Sequence, residues 1–289
     1  MVFANRKPQV KQSDPPRSPR ETLPSMYDLP SEDPEEPGLP DDFHDLQPQL
    51  LSRTLRLSGY TRDNWYTATD LNLYYDINHP LWHKRPDWFL AVDVPRLYDG
   101  KDLRRSYVIW QEGKGPDVVV EFLSPGTEAE DLGRFYTKDW KVEDEGSESP
   151  PPPENGSEQS VTKPPAKLMV YERYLRVPHY LVYSRYTRRL RHLRLEGGQY
   201  REQSLNAENP LVWLEGLEIG LGIWNGVFEE IPGDWLRWCD RDGNWFLTDT
   251  EEAQAQILQA AQNLLATGMG IDQVTQILGL SEDQVRQIR

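Results

Sequence analysis

The chain has 289 residues, 37% of them hydrophobic, with 24 prolines and a formal net charge of −15. That length supports one sizeable domain or two small ones, while the many prolines and low hydrophobic content predict that part of the chain is disordered. The acidic balance excludes a broadly basic nucleic-acid-binding surface and leaves room only for a locally basic cleft. A lone Cys239 excludes an intramolecular disulfide framework or a cysteine zinc cluster, and with no apolar run of membrane-spanning length it predicts a cytoplasmic protein without membrane contact.

Residues 1–41 are polar and rich in proline, basic early (Arg6, Lys7, Lys11, Arg17, Arg20) and acidic later. They predict a disordered leader. Leu46, Leu50, Leu51 and Leu55 then follow helical spacing and predict an Asp-capped helix over 42–57, with His44 as a surface or capping residue of its first turn. Three strands follow, over 66–77, 87–92 and 117–122, with a short piece near 104–109. Asp70, Asp76 and Asp93 read as strand-end acids, Asp70 being the one of the three expected nearest a site. A helix begins at Glu128 and gives way to an acidic, proline-rich stretch over 141–165, read as an inserted loop.

A helix over 167–176 and a strand over 179–184 come next, the strand parallel to the one at 117–122 and joined to it by a crossover. A hairpin over 189–195 and 199–204 turns at Glu196-Gly197-Gly198. Arg189, Arg191, Arg194 and Arg201 are read as alternating on one of its faces, and with Arg185 and Arg188 they form the strongest positive cluster of the chain. Such a cluster serves either phosphate contacts or a charged, solvated edge. Trp213, Trp224, Trp235, Trp238 and Trp245 read as core and subunit-contact residues, with a hairpin turn at Asp242-Gly243. Apolar spacing over 251–267, then around Ile271 to Leu280 with Ser281 as a cap, predicts a helical tail.

The chemistry is concentrated in the stretch GPDVVVEFLSPG, residues 115–126. Side chains alternate along a strand, so Asp117 and Glu121 project from one face of a β-branched run. Carboxylates on a strand buried on both faces are costly unless a metal ion or a lysine meets them, and inexpensive if they only flank the strand in solvent. Pro86-Asp87, entering the apolar run 88–92, repeats the Pro-Asp pattern one strand earlier.

These motifs resemble the Uma-two family of the PD-(D/E)XK nuclease superfamily. The resemblance rests on Pro116, Asp117, Glu121 and Ser124, then Asp131, then Lys167 with Tyr171 four residues on, then the strand 176–183. It implies an α/β fold, a mixed sheet flanked by helices with restriction-endonuclease-like topology, over 42–249, followed by a helical tail over 250–289. It implies an endonuclease that hydrolyses DNA with Mg²⁺ or Mn²⁺ held by Asp87, Asp117 and Glu121, with Asp87, Glu121 and Lys167 catalytic, and it implies a homodimer. The superfamily's strand lysine is missing, because Leu123 stands two residues after Glu121. Lys167, chosen over the nearer Lys138 and Lys141 by its spacing to Tyr171, is expected to take its place. The alternative is a catalytically degenerate member that binds nucleic acid or protein through the same fold.

Overall fold

The computed structural model describes residues 14–15, 17, 41–124, 128–137 and 163–288. Most of the leader read over 1–41 and residues 141–162 of the insertion read over 141–165 lie outside them, as do Lys138 and Lys141. The chain divides into two compact units, Met1–Gln47 and Pro48–Arg289. The division falls inside α1 (Asp42–Thr54), at Pro48, which has no N–H for a helical bond. Within the first unit, Asp41 accepts from the backbone N–H of His44 (3.1 Å) and from its Nδ1 (2.7 Å). His44 is thus tied to the capping aspartate, and it is buried rather than on the surface.

In the second unit the strands run in the order β1 (Trp65–Ala68), β2 (Leu73–Tyr74), β3 (His83–Lys84), β4 (Trp88–Val92) and β5 (Tyr107–Val108). A short α2 (Ile109–Glu112) precedes β6 (Val118–Phe122), and α3 (Glu128–Leu132) precedes α4 (Lys167–Met169). Next come β7 (His179–Ser184), β8 (Arg189–Glu196), β9 (Gln199–Gln203), β10 (Leu211–Leu214), β11 (Ile219–Phe228) and β12 (Ile231–Cys239). The helices α5 (Asp249–Ala266), α6 (Ile271–Leu278) and α7 (Glu282–Gln287) end the chain.

The central sheet has the order β1-β4-β6-β7-β8-β9, with β6 and β7 parallel and its other pairs antiparallel. β4 and β6 are buried at every position. A strand covered on both faces is apolar wherever no partner meets a charge, which explains the runs WFLAV and VVV and leaves Glu121 as the buried exception in β6. On one face Phe89, Ala91, Val119 and Val182 pack with Leu168, Tyr171 and Leu175. On the other, the Trp88 indole donates to Ser52 Oγ (3.0 Å) and its ring lies 5.8 Å from that of Trp238. Buried Trp235 and Trp238 are therefore core residues, as expected.

Three expectations need correction. The strand expected over 66–77 is broken, because Asp70 adopts a left-handed backbone (φ 50°) and its carboxylate pairs with Arg85. β2 consequently joins a separate small sheet with β3 and β5. The helix expected over 167–176 is one α-turn followed by a wider π-turn over Val170–Tyr174, closed by the Leu175 N–H on Val170 O (3.0 Å). The arginines of the β8–β9 hairpin divide between its faces: Arg194 stands opposite Arg201, while Arg191 is offset from them by an odd number of residues. The turn itself is as expected, with Gly197 and Gly198 both at positive φ, as a two-residue hairpin turn requires.

The tail folds as read. Thr248 and Glu251 form a capping box at the start of α5, and Ser281 with Gln284 forms one at α7. Ala261, Val274 and Val285 make a small core of their own. Buried Arg237 of β12 lies over the Trp224 ring (4.2 Å) and pairs with Glu251, which fastens α5 to the β10–β12 sheet. Among the described residues no helix is long and apolar enough to cross a membrane.

Candidate active site

β4 and β6 pair up to Trp88 opposite Val120. At the next position the side chains take over the backbone bonds. Asp87 Oδ2 accepts from the N–H of Phe122 (2.6 Å), and Glu121 Oε2 accepts from the N–H of Asp87 (3.3 Å). The two acids thus clasp each other's strands at one end of the central sheet.

Glu121 is fully buried. Its Oε1 accepts from the Tyr171 hydroxyl (2.6 Å) and its Oε2 lies 3.2 Å from Lys167 Nζ. Lys167 also lies 2.9 Å from Asp131 Oδ1 on α3. Residues four apart share one side of a helical turn, which is why Lys167 and Tyr171 reach the same carboxylate. The Tyr180 hydroxyl donates to Asp131 O (2.9 Å) and fixes α3 over the sheet. The Lys167 side chain keeps 22% of its surface exposed and so opens the cluster to solvent.

Burial pushes the Glu121 carboxyl up to about 7, with Lys167 opposing and the Asp87 charge adding to the rise. Burial likewise pushes Asp131 up to about 6, again against the pull of Lys167. Burial works against the Lys167 ammonium, yet Asp131, Glu121 and Asp87 together hold it well above its usual value. The Tyr171 hydroxyl is driven well above its ordinary range by burial and by Glu121, so it stays a neutral donor.

Of the residues singled out in the sequence, the fold brings together Asp87, Glu121 and Lys167. It does not bring Asp117. That residue shares a face with Glu121, but four residues of extended strand separate them by roughly 13 Å. Asp117 instead accepts from the Val92 N–H (2.8 Å) and from Lys114 Nζ (3.1 Å) at the far end of β6. Asp70 is committed to Arg85, and Asp76 lies 2.7 Å from His79 Nδ1, so neither joins the cluster. Leu123 is buried in the core, so the position of the missing strand lysine offers no cation. Asp131 and Tyr171 carry no site role in the sequence analysis, although its motif contains both; the four-residue spacing of Tyr171 to Lys167 is the available signal, while the insertion separates Asp131 from the lysine.

The Uma2 family model, described as "putative restriction endonuclease", matches residues 17–224. The chain belongs to this family. Uma2 lies within the PD-(D/E)XK-like nuclease superfamily, and the mixed sheet flanked by helices agrees with a restriction-endonuclease-like fold. No curated protein matches the chain. The Uma2 match contains the whole carboxylate–lysine cluster and ends within β11, so β12 and the helical tail lie beyond it.

The donor chemistry fits a hard divalent cation. Asp87, Glu121 and Asp131 against Lys167 leave two negative charges when all are ionised, which one such ion would balance. Among the described residues no three His, Cys, Asp or Glu side chains form a metal cage. Magnesium rarely needs one, being held by one or two carboxylates with water and phosphate oxygens completing its shell.

Proposed function

We propose that this Uma2 protein is a metal-dependent endonuclease that hydrolyses phosphodiester bonds of DNA, working as a homodimer. The observation that carries the reading is the meeting of Asp87 and Glu121, from two adjacent strands, with Lys167 at one end of the sheet. Asp87 and Glu121 would hold Mg²⁺ or Mn²⁺. Once bound, the ion polarises a phosphoryl oxygen and lowers the pKa of a coordinated water.

The remaining roles belong to the protein's own groups. Tyr171 fixes Glu121 through Oε1, so the rotamer that faces Asp87 is held before substrate arrives. Asp131 holds the Lys167 ammonium together with Glu121 and keeps it protonated. Charged and partly solvent-exposed, Lys167 can orient an attacking water and meet the negative charge that builds on the phosphoryl group. It approaches from α4, and its long stem lets a helix supply what the neighbouring strand position does not.

The test is cleavage of supercoiled, linear and single-stranded DNA in Mg²⁺ or Mn²⁺, with Glu121→Gln beside the wild type. Nicking that needs the metal and falls at least a hundredfold in the variant is expected. Equal nicking by a folded Glu121→Gln would sink the assignment. A wild type that binds metal-free DNA but never cuts would favour the degenerate, binding-only member of the family.

A further inference from the structure

The sheet end that carries Glu121 also carries the densest positive stretch of the chain. β7 runs parallel to β6, with Glu121 opposite Val182 and Phe122 opposite Tyr183. The Leu123 N–H donates to Tyr183 O (2.8 Å), so the turn at 185–188 leaves the sheet directly beside the strand end that bears the acids. Arg185 stands three residues beyond the rung of Glu121, roughly 10 Å along the strand.

Residues 185–189 read RYTRR, three arginines in five positions, in a chain with 47 acids against 32 lysines and arginines. Tyr186 lies 45% exposed within this run. The Arg185 guanidinium sits 4.8 Å from the centre of the Tyr186 ring and donates to its hydroxyl (3.1 Å), so a cation and an exposed ring stand together. β8 then returns along β7, with Arg191 on the rung of Val182 and Arg189 on the same face as Glu121. Beside the turn is a cleft of about 480 Å³, where Arg188, Arg189 and Arg191 face Gln203, Ser204 and Asn206. Acids temper it: Asp234 lies 2.7 Å from Arg188, and Glu202 pairs with Arg191. The Arg188 side chain nevertheless remains 62% exposed.

A phosphodiester strand has what such a surface takes, namely anionic oxygens for guanidinium forks and flat bases for an exposed ring. We propose that the β7–β8 turn and its arginine cleft bind a single strand of nucleic acid running to the carboxylate site, Arg188 and Arg189 meeting phosphates and Tyr186 stacking on a base. This rests on the nuclease reading and adds the route by which an acidic protein admits a polyanion. The turn stands beside the acids, so a strand held there is held next to the site.

The experiment measures binding of a fluorescent single-stranded DNA oligonucleotide to the full chain over a range of salt, alongside its cleavage in Mg²⁺. The proteins are wild type, Arg188→Ala/Arg189→Ala, the same pair changed to Lys, Tyr186→Ala, and Arg105→Ala as an exposed control away from this sheet end. The Ala pair is expected to weaken binding about tenfold. It should flatten the log–log salt slope by roughly 0.7 for each phosphate that the protein no longer neutralises, and raise KM while kcat stays within about twofold. The Lys pair should restore the slope, and Tyr186→Ala should weaken binding without changing it. An unchanged slope and KM in a folded, cutting Ala pair overturns this inference and leaves the nuclease reading intact. Arginine-dependent binding without cleavage supports the surface and counts against the nuclease reading. No binding and no cleavage by the wild type overturns both.

Discussion

Lys167 shows how closely balanced the site is at the level of single residues. Its ammonium stands between two buried carboxyls, 3.2 Å from Glu121 and 2.9 Å from Asp131. Burial has already raised both acids, to about 7 and about 6, with the lysine present. A raised acid binds its proton more tightly in the folded chain than in the unfolded one. Its contribution to stability is therefore complete below the unfolded value and is lost as pH rises through the folded one. Replacing Lys167 by Met keeps much of the stem and removes the charge, leaving two carboxyls to ionise without a cation between them. The expected cost is about 3–5 kcal/mol at pH 8, shrinking towards pH 5, where both acids hold protons. Urea unfolding of Lys167→Met and wild type at the two pH values checks this; an equal loss at both would mean the lysine acts by packing rather than by charge.

The elements around the site depend on one close approach. Gly133 follows α3 with φ at 49°, and a Cβ placed there would come 2.7 Å from Leu168 Cδ2, next in sequence to Lys167. Gly133→Ala must therefore strain the backbone and displace the Leu168 side chain. A destabilisation of about 1–3 kcal/mol is expected; a thermal melt beside a kcat measurement shows whether cleavage falls further than the reduced stability explains, as it does when the shift of Leu168 carries over to Lys167. The elements that position the site were legible in sequence where one physical signal dominated. Unbroken apolar runs marked β4 and the start of β6, Gly197-Gly198 marked the hairpin, and Ser281 marked the last helix start, whereas the Thr248 cap of α5 went unread. Legibility failed where a tertiary partner decides the local conformation. Arg85 holds Asp70 in the left-handed turn that breaks the first strand, and no periodicity announces that pair. Period-two alternation correctly put Asp117 and Glu121 on one face, yet alternation says nothing of distance along the strand, and Asp117 went to Lys114 at the far end.

For the whole molecule, the net charge of −15 means that any salt relieves self-repulsion, so a specific ion site must be separated from general screening. The buried cluster supplies the means. Glu121, raised to about 7, is mostly ionised at pH 8 and mostly protonated at pH 6, and a cation held by it must displace that proton. The apparent Mg²⁺ affinity should thus be roughly tenfold higher at pH 8 than at pH 6, worth about 1.4 kcal/mol of added stability when the ion is well above its dissociation constant. In a chain of this size that corresponds to a Tm gain larger by roughly 2–4 °C at pH 8. Each melt is paired with one in sodium chloride of equal ionic strength, which removes screening from the difference. Glu121→Gln has no proton to lose to solvent when the metal binds and should lose the pH-dependent part of the gain, and excess chelator should abolish it in the wild type. A gain that is the same at both pH values, or that persists in Glu121→Gln, would mean that magnesium acts on the acidic surface at large and that the clasped carboxylates of β4 and β6 do not hold it.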